Sequence, residues 1–147
     1  MIVREFTEED IDGINKLMKD LCSLKGQIFD EDRWQNSIRE DLKPNSNSEI
    51  LVAIDQDDKN VIGMANCSVK TAENGTRFGY ISNLIVKEGE RGSGVGEKLM
   101  KNMIDYFKRN HIRSIRLALK TNLDEAARLL FVKLGFKEII RIYELKI

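Results

Sequence analysis

The chain has 147 residues, enough for one domain that buries roughly two thirds of its unfolded surface. Lysine plus arginine equal aspartate plus glutamate at 24 each, so no net field draws the chain to nucleic acid or to anionic lipid. At 41% hydrophobic, with no apolar run near the ~20 residues of a membrane span, it reads as a soluble globule with no membrane partner.

The opening residues, Met1 to Phe6, contain no secretory core and lead straight into a strand, so a cytoplasmic location is expected. Cys22 and Cys67 are too few and too far apart for a metal knuckle or a disulfide framework. His111 is the only histidine, which excludes a multi-histidine metal site, and no metal is expected.

Ile2 to Phe6 forms a short first strand. Thr7 then stands as an N-cap with Asp10 three residues on, a capping box with Asp in place of Glu or Gln. Ile11, Ile14, Leu17, Met18 and Leu21 recur at helical spacing, and Gly26 closes or follows that helix. A second helix fits from about Glu31 to Leu42, with Trp34, Ile38 and Leu42 on one stripe, before Pro44 and a polar loop.

From Ile50 the period changes. Ile50 to Ile54 and Val61 to Lys70 are strands separated by a polar turn, and Asn74-Gly75 marks a further hairpin. A buried strand from Tyr80 to Val86 completes an antiparallel meander. It is followed by the turn Lys87 to Glu90, by Arg91-Gly92-Ser93-Gly94-Val95-Gly96, and by a helix carrying Val95, Leu99, Met103 and Tyr106 on one face. Ser114 to Leu119 is the next strand, parallel because a long crossover precedes it. Ala127, Leu130, Phe131 and Leu134 define a last helix stopped at Gly135. A final strand is expected from Phe136 to about Lys146. No repeat or linker divides the chain, so a single α/β domain over residues 1–147 is expected, with a mixed central sheet.

The glycine stretch carries the chemistry. Glycines that let backbone amides approach a ligand, placed where a helix begins, make an anion site, because unpaired N–H groups and the positive end of the helix dipole point the same way. A phosphate-bearing ligand is expected there. The pattern does not satisfy G-x-G-x-x-G, and the phosphate-loop ending Gly-Lys-Ser/Thr is absent. A hairpin meander upstream also excludes a dinucleotide-binding βαβ unit.

Arg91, Gly94 and Gly96 match Arg/Gln-x-x-Gly-x-Gly/Ala, the signature of the Gcn5-related N-acetyltransferase (GNAT) superfamily, which the chain resembles. The element order and the tail Leu130-Phe131-Val132-Lys133-Leu134-Gly135-Phe136 resemble that family as well. The resemblance implies a GNAT-like fold with six to seven strands and about four helices, and acetyl-coenzyme A as co-substrate. It implies that the amides of Arg91, Gly92, Ser93, Gly94, Val95 and Gly96 cradle the pyrophosphate. The backbone of Leu84, Ile85 and Val86 would pair with the pantetheine amides like an added strand. Arg91 adds a positive charge, or stands solvated.

The chain departs from the family where acid and base are expected. Phe131 replaces the usual tyrosine acid, which leaves Tyr143 and Tyr80 as candidate donors, each also readable as a packed sheet residue. Ser82 and Asn83 occupy the positions of the carboxylate some members use. Neither is a base at neutral pH, though either can hold a water that relays a proton to a carboxylate elsewhere. Asp124 stands at the position of an asparagine that often opens the last helix, with Asn122 two residues earlier, and both also read as N-caps.

On the acceptor side the family uses roughly Leu24 to Trp34, where Gln27, Phe29 and Trp34 are available. Only eleven residues follow Phe136, so an open cleft is expected, accessible to a small amine or a peptide. The expected function is acetyl-coenzyme A-dependent transfer to a primary amine. The alternative is a coenzyme A-binding sensor or assembly module without catalysis. No nucleic-acid partner is expected, and a homodimer is compatible with the family.

Overall fold

The computed structural model describes residues 1–41, 43–44, 46–119 and 125–147. In chain order these form β1 (Ile2–Glu5), a 3-10 turn (Glu8–Asp10), α1 (Ile11–Leu24), α2 (Glu31–Asp41), β2 (Ser48–Ile54), β3 (Val61–Thr71), β4 (Arg77–Val86), α3 (Val95–Arg109), β5 (Ile115–Leu117) and α4 (Glu125–Lys133). Leu42, the expected last residue of the second helix, lies outside the described residues.

The strands lie in sequence order, β1-β2-β3-β4-β5. The first three pairings are antiparallel and the β4–β5 pairing is parallel, as the hairpins and the helical crossover require. Helices cover both faces. Strands buried on both sides read as continuous apolar runs because alternate side chains enter different cores. Thus Leu51, Ala53, Ala65, Cys67 and Ile81 pack with Leu99, Met103 and Phe107 of α3 and Phe131 of α4. Ile50, Val52, Met64 and Ile85 pack on the other face with Ile14 and Leu17 of α1 and Trp34 and Ile38 of α2. Trp34 therefore belongs to the core, with Phe29 packed against it, whereas Gln27 is exposed.

Close approach of α3 to the sheet depends on Gly79. A Cβ there would stand 2.7 Å from the Phe107 ring, closer than packed carbons tolerate. The end of α3 explains the lone histidine. His111 adopts φ 60, its N–H donates to the Lys108 carbonyl at 3.1 Å, and the Ile112 N–H donates to the Phe107 carbonyl at 2.9 Å. That is a Schellman stop with histidine in the position glycine usually takes. The exposed ring is an end-of-helix residue.

The sheet has five strands among the described residues rather than six to seven. The strand expected from Phe136 to Lys146 does not form, although α4 does stop at Gly135 (φ 96) as its sequence predicts. A strand needs a partner for its backbone groups, and residues 137–147 leave the molecular surface without one, all of them exposed.

The opening turn is held by a charged knot. Asp10 is 5% exposed; it accepts from the Arg4 guanidinium at 2.7 and 3.0 Å and from the Thr7 backbone N–H at 2.8 Å. Burial alone would push this carboxyl up, but Arg4 and Thr7 together hold it below the usual carboxylate range. A depressed folded-state pKa contributes stability above the unfolded value near 3.8, and that stability is lost as pH falls through the folded value. Asp10→Ala should lower stability by about 2 kcal/mol at pH 7, as hydrogen bonds to a charged group do. Urea unfolding of both proteins should show the gap intact at about pH 5 and narrowing as pH falls from about 4 toward 2. A gap that stays constant across that range would contradict this role.

Candidate active site

β4 and β5 pair over three positions only, Gly79 with Ile115, Tyr80 with Arg116 and Ile81 with Leu117. β4 continues to Val86 along β3, while β5 ends. The separation begins at a bulge. Asn66 lies opposite Ser82 and Met64 opposite Ile85, so Ala65 faces both Asn83 and Leu84. Asn83 takes φ 52, a left-handed conformation that asparagine tolerates better than most residues. An extra residue of this kind bends its strand and strengthens the local twist.

Past the bulge, backbone groups alternate between the two sides of β4. The Lys87 N–H donates to the Ile62 carbonyl on β3 at 2.8 Å, which sets the phase. Ile85 therefore turns its peptide groups toward Met64, while Leu84 and Val86 turn theirs toward the side that β5 has vacated. The Val86 carbonyl on that side accepts from Arg91 Nε at 3.2 Å. Among the described residues, the Leu84 N–H and C=O and the Val86 N–H are the groups left for a ligand with amide-like spacing.

Arg91 thus fastens the glycine loop to the end of β4, and the exposed guanidinium keeps its other N–H groups for solvent or anion. The Ser93 hydroxyl donates to the Glu90 carbonyl, bracing the same loop. Gly94 caps α3 at φ 86 with no side chain to receive the first helical amides. Val95, Gly96 and Glu97 therefore present N–H groups without an intrahelical acceptor. A Cβ at Gly92 or Gly94 would meet nothing within 4 Å, so these glycines are needed for backbone geometry and the space above them is free. A separate depression of about 290 Å³ near the loop is lined by Asp55, Asp57 and Glu90 as well as Ser93, and its acidic rim does not suit a phosphate.

The expected acid and base candidates are dispersed. Phe131 is buried, with its ring centroid 6.0 Å from that of Phe136. Tyr80 is half-buried under Lys70 Nζ, which stands 4.3 Å from the ring centroid. Tyr143 stands on the extended C-terminal segment, 86% exposed, within bonding reach of Arg141. Asn122 and Asp124 lie outside the described residues. Cys67 is no nucleophile at neutral pH, since burial, with Glu49 adding to it, pushes its thiol up to about 12.

The structure adds two residues that sequence reasoning missed. Asn66 Nδ2 donates to Asp41 Oδ2, at the end of α2, across 3.3 Å. The Asn66 Oδ1 is buried without a partner among the described residues. Ser82, opposite Asn66 in the ladder, shares that face beside the bulge. A polar residue in the middle of the otherwise apolar run Met64-Ala65-Asn66-Cys67 is the signal that could have drawn attention to the position. Glu49 stands on the opposite face, across from Cys67, and its pKa is raised by burial first and then by Glu5.

A model of the acetyltransferase (GNAT) family matches residues 14–136, and the chain belongs to that family. Among solved structures the chain is similar to an acetyltransferase of Trypanosoma brucei, at 19% identity and a TM-score of 0.76, over 99% of both chains. It is similar to a probable acetyltransferase at 18% identity and a TM-score of 0.84, over 100% of this chain and 98% of that one. It is also similar to glucosamine-6-phosphate N-acetyltransferase of Arabidopsis thaliana, at 14% identity and a TM-score of 0.77, over 98% and 97%. No helix among the described residues is long and apolar enough to cross a membrane.

Gly94 and Gly75 have nearly the same backbone strain, φ 86 and φ 83, but only Gly94 lies at the cradle. Alanine at either should cost about 1–2 kcal/mol of stability. Gly94→Ala alone should also weaken coenzyme A binding by about tenfold, the equivalent of one hydrogen bond. Calorimetric titration of both variants checks this, and equal loss of binding in the two would remove the cradle's special status.

Proposed function

We propose that the chain transfers an acetyl group from acetyl-coenzyme A to a primary amine of a small molecule or a peptide. The observation that carries this reading is the open β4 edge, Leu84 to Val86, running directly into the amide-rich start of α3. A pantetheine chain with its pyrophosphate needs that sequence of groups, amide partners first and anion donors after them. Acetyl-coenzyme A supplies an activated thioester. The remaining chemistry falls to this chain's own residues.

The Leu84 and Val86 amides can donate to an acetyl oxygen as it gains negative charge. Holding both reactants beside the bulge supplies much of the rate by proximity. A thiol with a pKa near ~8.5 is a tolerable leaving group, so the apolar Phe131 does not forbid the reaction. On the acceptor side, the Asn66 amide, whose buried Oδ1 has no partner among the described residues, lies beside the bulge, and the Asp41 carboxylate that accepts from its Nδ2 orients it and favours a cationic approach. Ser82 can hold a water that relays the amine's proton onward, to bulk solvent or to the thiolate that departs. This division puts the acyl donor on the β5 side of β4 and the amine on the α2 side.

The test is release of free thiol from acetyl-coenzyme A against a panel of small amines, polyamines and peptides. Release with at least one amine is expected. Tight coenzyme binding with no release across the panel would instead favour a binding module. With an accepted amine in hand, Asn66→Ala should lower kcat/KM by about 10- to 100-fold, or ~1.4–2.7 kcal/mol, while leaving coenzyme A affinity unchanged. Unaltered kinetics would remove Asn66 from the acceptor site.

A further inference from the structure

The helices α1 and α2 cover only part of their face of the sheet. Val52, Met64 and Ile85 lie beneath them in the core. Toward the β3–β4 hairpin the same face turns polar. Asn66, Ser68 and Lys70 follow one another on β3, opposite Ser82, Tyr80 and Phe78 on β4. Alternate residues of a strand share a face, so these six form one strip. Arg116 joins it from β5, where it stands beside Tyr80. The strip is open to solvent: Phe78 and Tyr80 are half-buried, and Lys70 and Arg116 are exposed.

Two cations lean across β4 from opposite sides. Lys70 Nζ stands 4.3 Å from the Tyr80 ring centroid, and Arg116 Cζ stands 4.2 Å from that of Phe78. The rings fix where these charges sit, because a cation over an aromatic face is attracted by the ring quadrupole. Neither cation has an acidic partner among the described residues. The other end of the strip carries the opposite sign, since Asn66, beside Ser82, holds the Asp41 carboxylate at 3.3 Å. Charge is thus separated along the strip. The two cations sit over rings two and four residues from Ser82, about 7 and 14 Å away at ~3.4 Å per residue.

We infer that the acceptor is the N-terminus of an acidic peptide, lying extended along this strip with its α-amine at Ser82 and carboxylates of its second to fourth residues on Lys70 and Arg116. This deepens the acetyl-transfer reading and rests on it. An extended chain rises ~3.3 Å per residue, so side chains two to four places from the amine span the same distance as the two rings. Arg116 can take a carboxylate through two N–H groups, while Lys70 acts as a point charge. The amine end is matched as well, because Asp41 favours a cationic group there. An α-amine also suits a site whose Ser82 and Asn83 are no bases. Its pKa of about 7.7–8.0 leaves a good part neutral near pH 7.5, whereas a lysine amine, near 10.4, stays charged. An open strip, unlike an enclosed ligand cavity, lets the rest of the peptide run outward.

The test compares thiol release for three peptides of equal length, beginning with alanine followed by three glutamates, three glutamines or three lysines. The glutamate peptide should exceed the glutamine peptide about tenfold in kcat/KM, mainly through KM, the scale of two exposed charge pairs. In the double variant Lys70→Glu, Arg116→Glu that preference should vanish or pass to the lysine peptide. The glutamine peptide should change less than about twofold, as reversing two exposed side chains leaves the fold intact. A binding measurement separates this inference from the reaction itself. Fluorescence anisotropy of the labelled, acetylated glutamate peptide, with coenzyme A present, should show association that the double variant loses. If no amine releases thiol, that result upholds the peptide seat while the transfer reading falls. Equal use of the glutamate and glutamine peptides, equal loss on all three in the variant, or no binding of the acetylated peptide would each overturn the inference. Transfer to O-phosphoethanolamine with no peptide used would overturn it too.

Discussion

Asn83 inserts one extra residue into β4 opposite Ala65, at a φ of 52°, and the geometry of the cleft depends on that insertion. Before it, β4 is a central strand with both edges engaged. Beyond it, β3 still holds one edge while the other has no strand partner among the described residues, because β5 has already ended at Leu117. Buried backbone groups left unpaired are costly, so this edge is in effect a strand position awaiting an extended, amide-bearing ligand. The glycine loop turns that edge into a site with direction, since it places the positive end of α3 at one end of it.

Such an arrangement needs rigid support, and the two cores provide it. The α3 face of the sheet is pinned through Gly79 against Phe107 and through Leu99 and Met103 against the central strands. The opposite face is filled by Trp34, Ile38, Ile14 and Leu17. The bulge also separates the work of the two faces. Leu84 and Val86 direct backbone groups toward the donor side, while Ser82 and Asn66 direct side chains toward α2. An acyl donor and an amine could then approach one point from two sides without sharing a binding surface.

Much of this was legible in the sequence because it rests on local rules. The continuous apolar run Ile50 to Ile54, the Asn74-Gly75 hairpin, the Thr7–Asp10 box and the Gly135 stop are written in adjacent residues, and the spacing of Arg91, Gly94 and Gly96 marks the loop. What escaped depends on distant pairing. The Asp41–Asn66 contact joins residues 25 apart across two elements, and no periodicity announces it. The bulge at Asn83 arises from the register between two strands. The expected sixth strand shows the limit most clearly, since Ile139 to Ile147 has every local mark of a strand and only a partner makes it one. His111 sits exposed at the end of α3, and its task in ending that helix lies in a backbone angle that no sequence pattern announces.

The central claim is that the β4 edge and the start of α3 form one continuous seat for coenzyme A. Titrating the isotope-labelled chain with coenzyme A and following backbone amide resonances tests it most directly. The account predicts saturable shifts at Leu84 and Val86 together with Gly94, Val95 and Gly96, and little change at Ile85 or at Gly75. Shifts confined to the acidic depression around Asp55 and Asp57, or at the glycine loop without Leu84 and Val86, would contradict it.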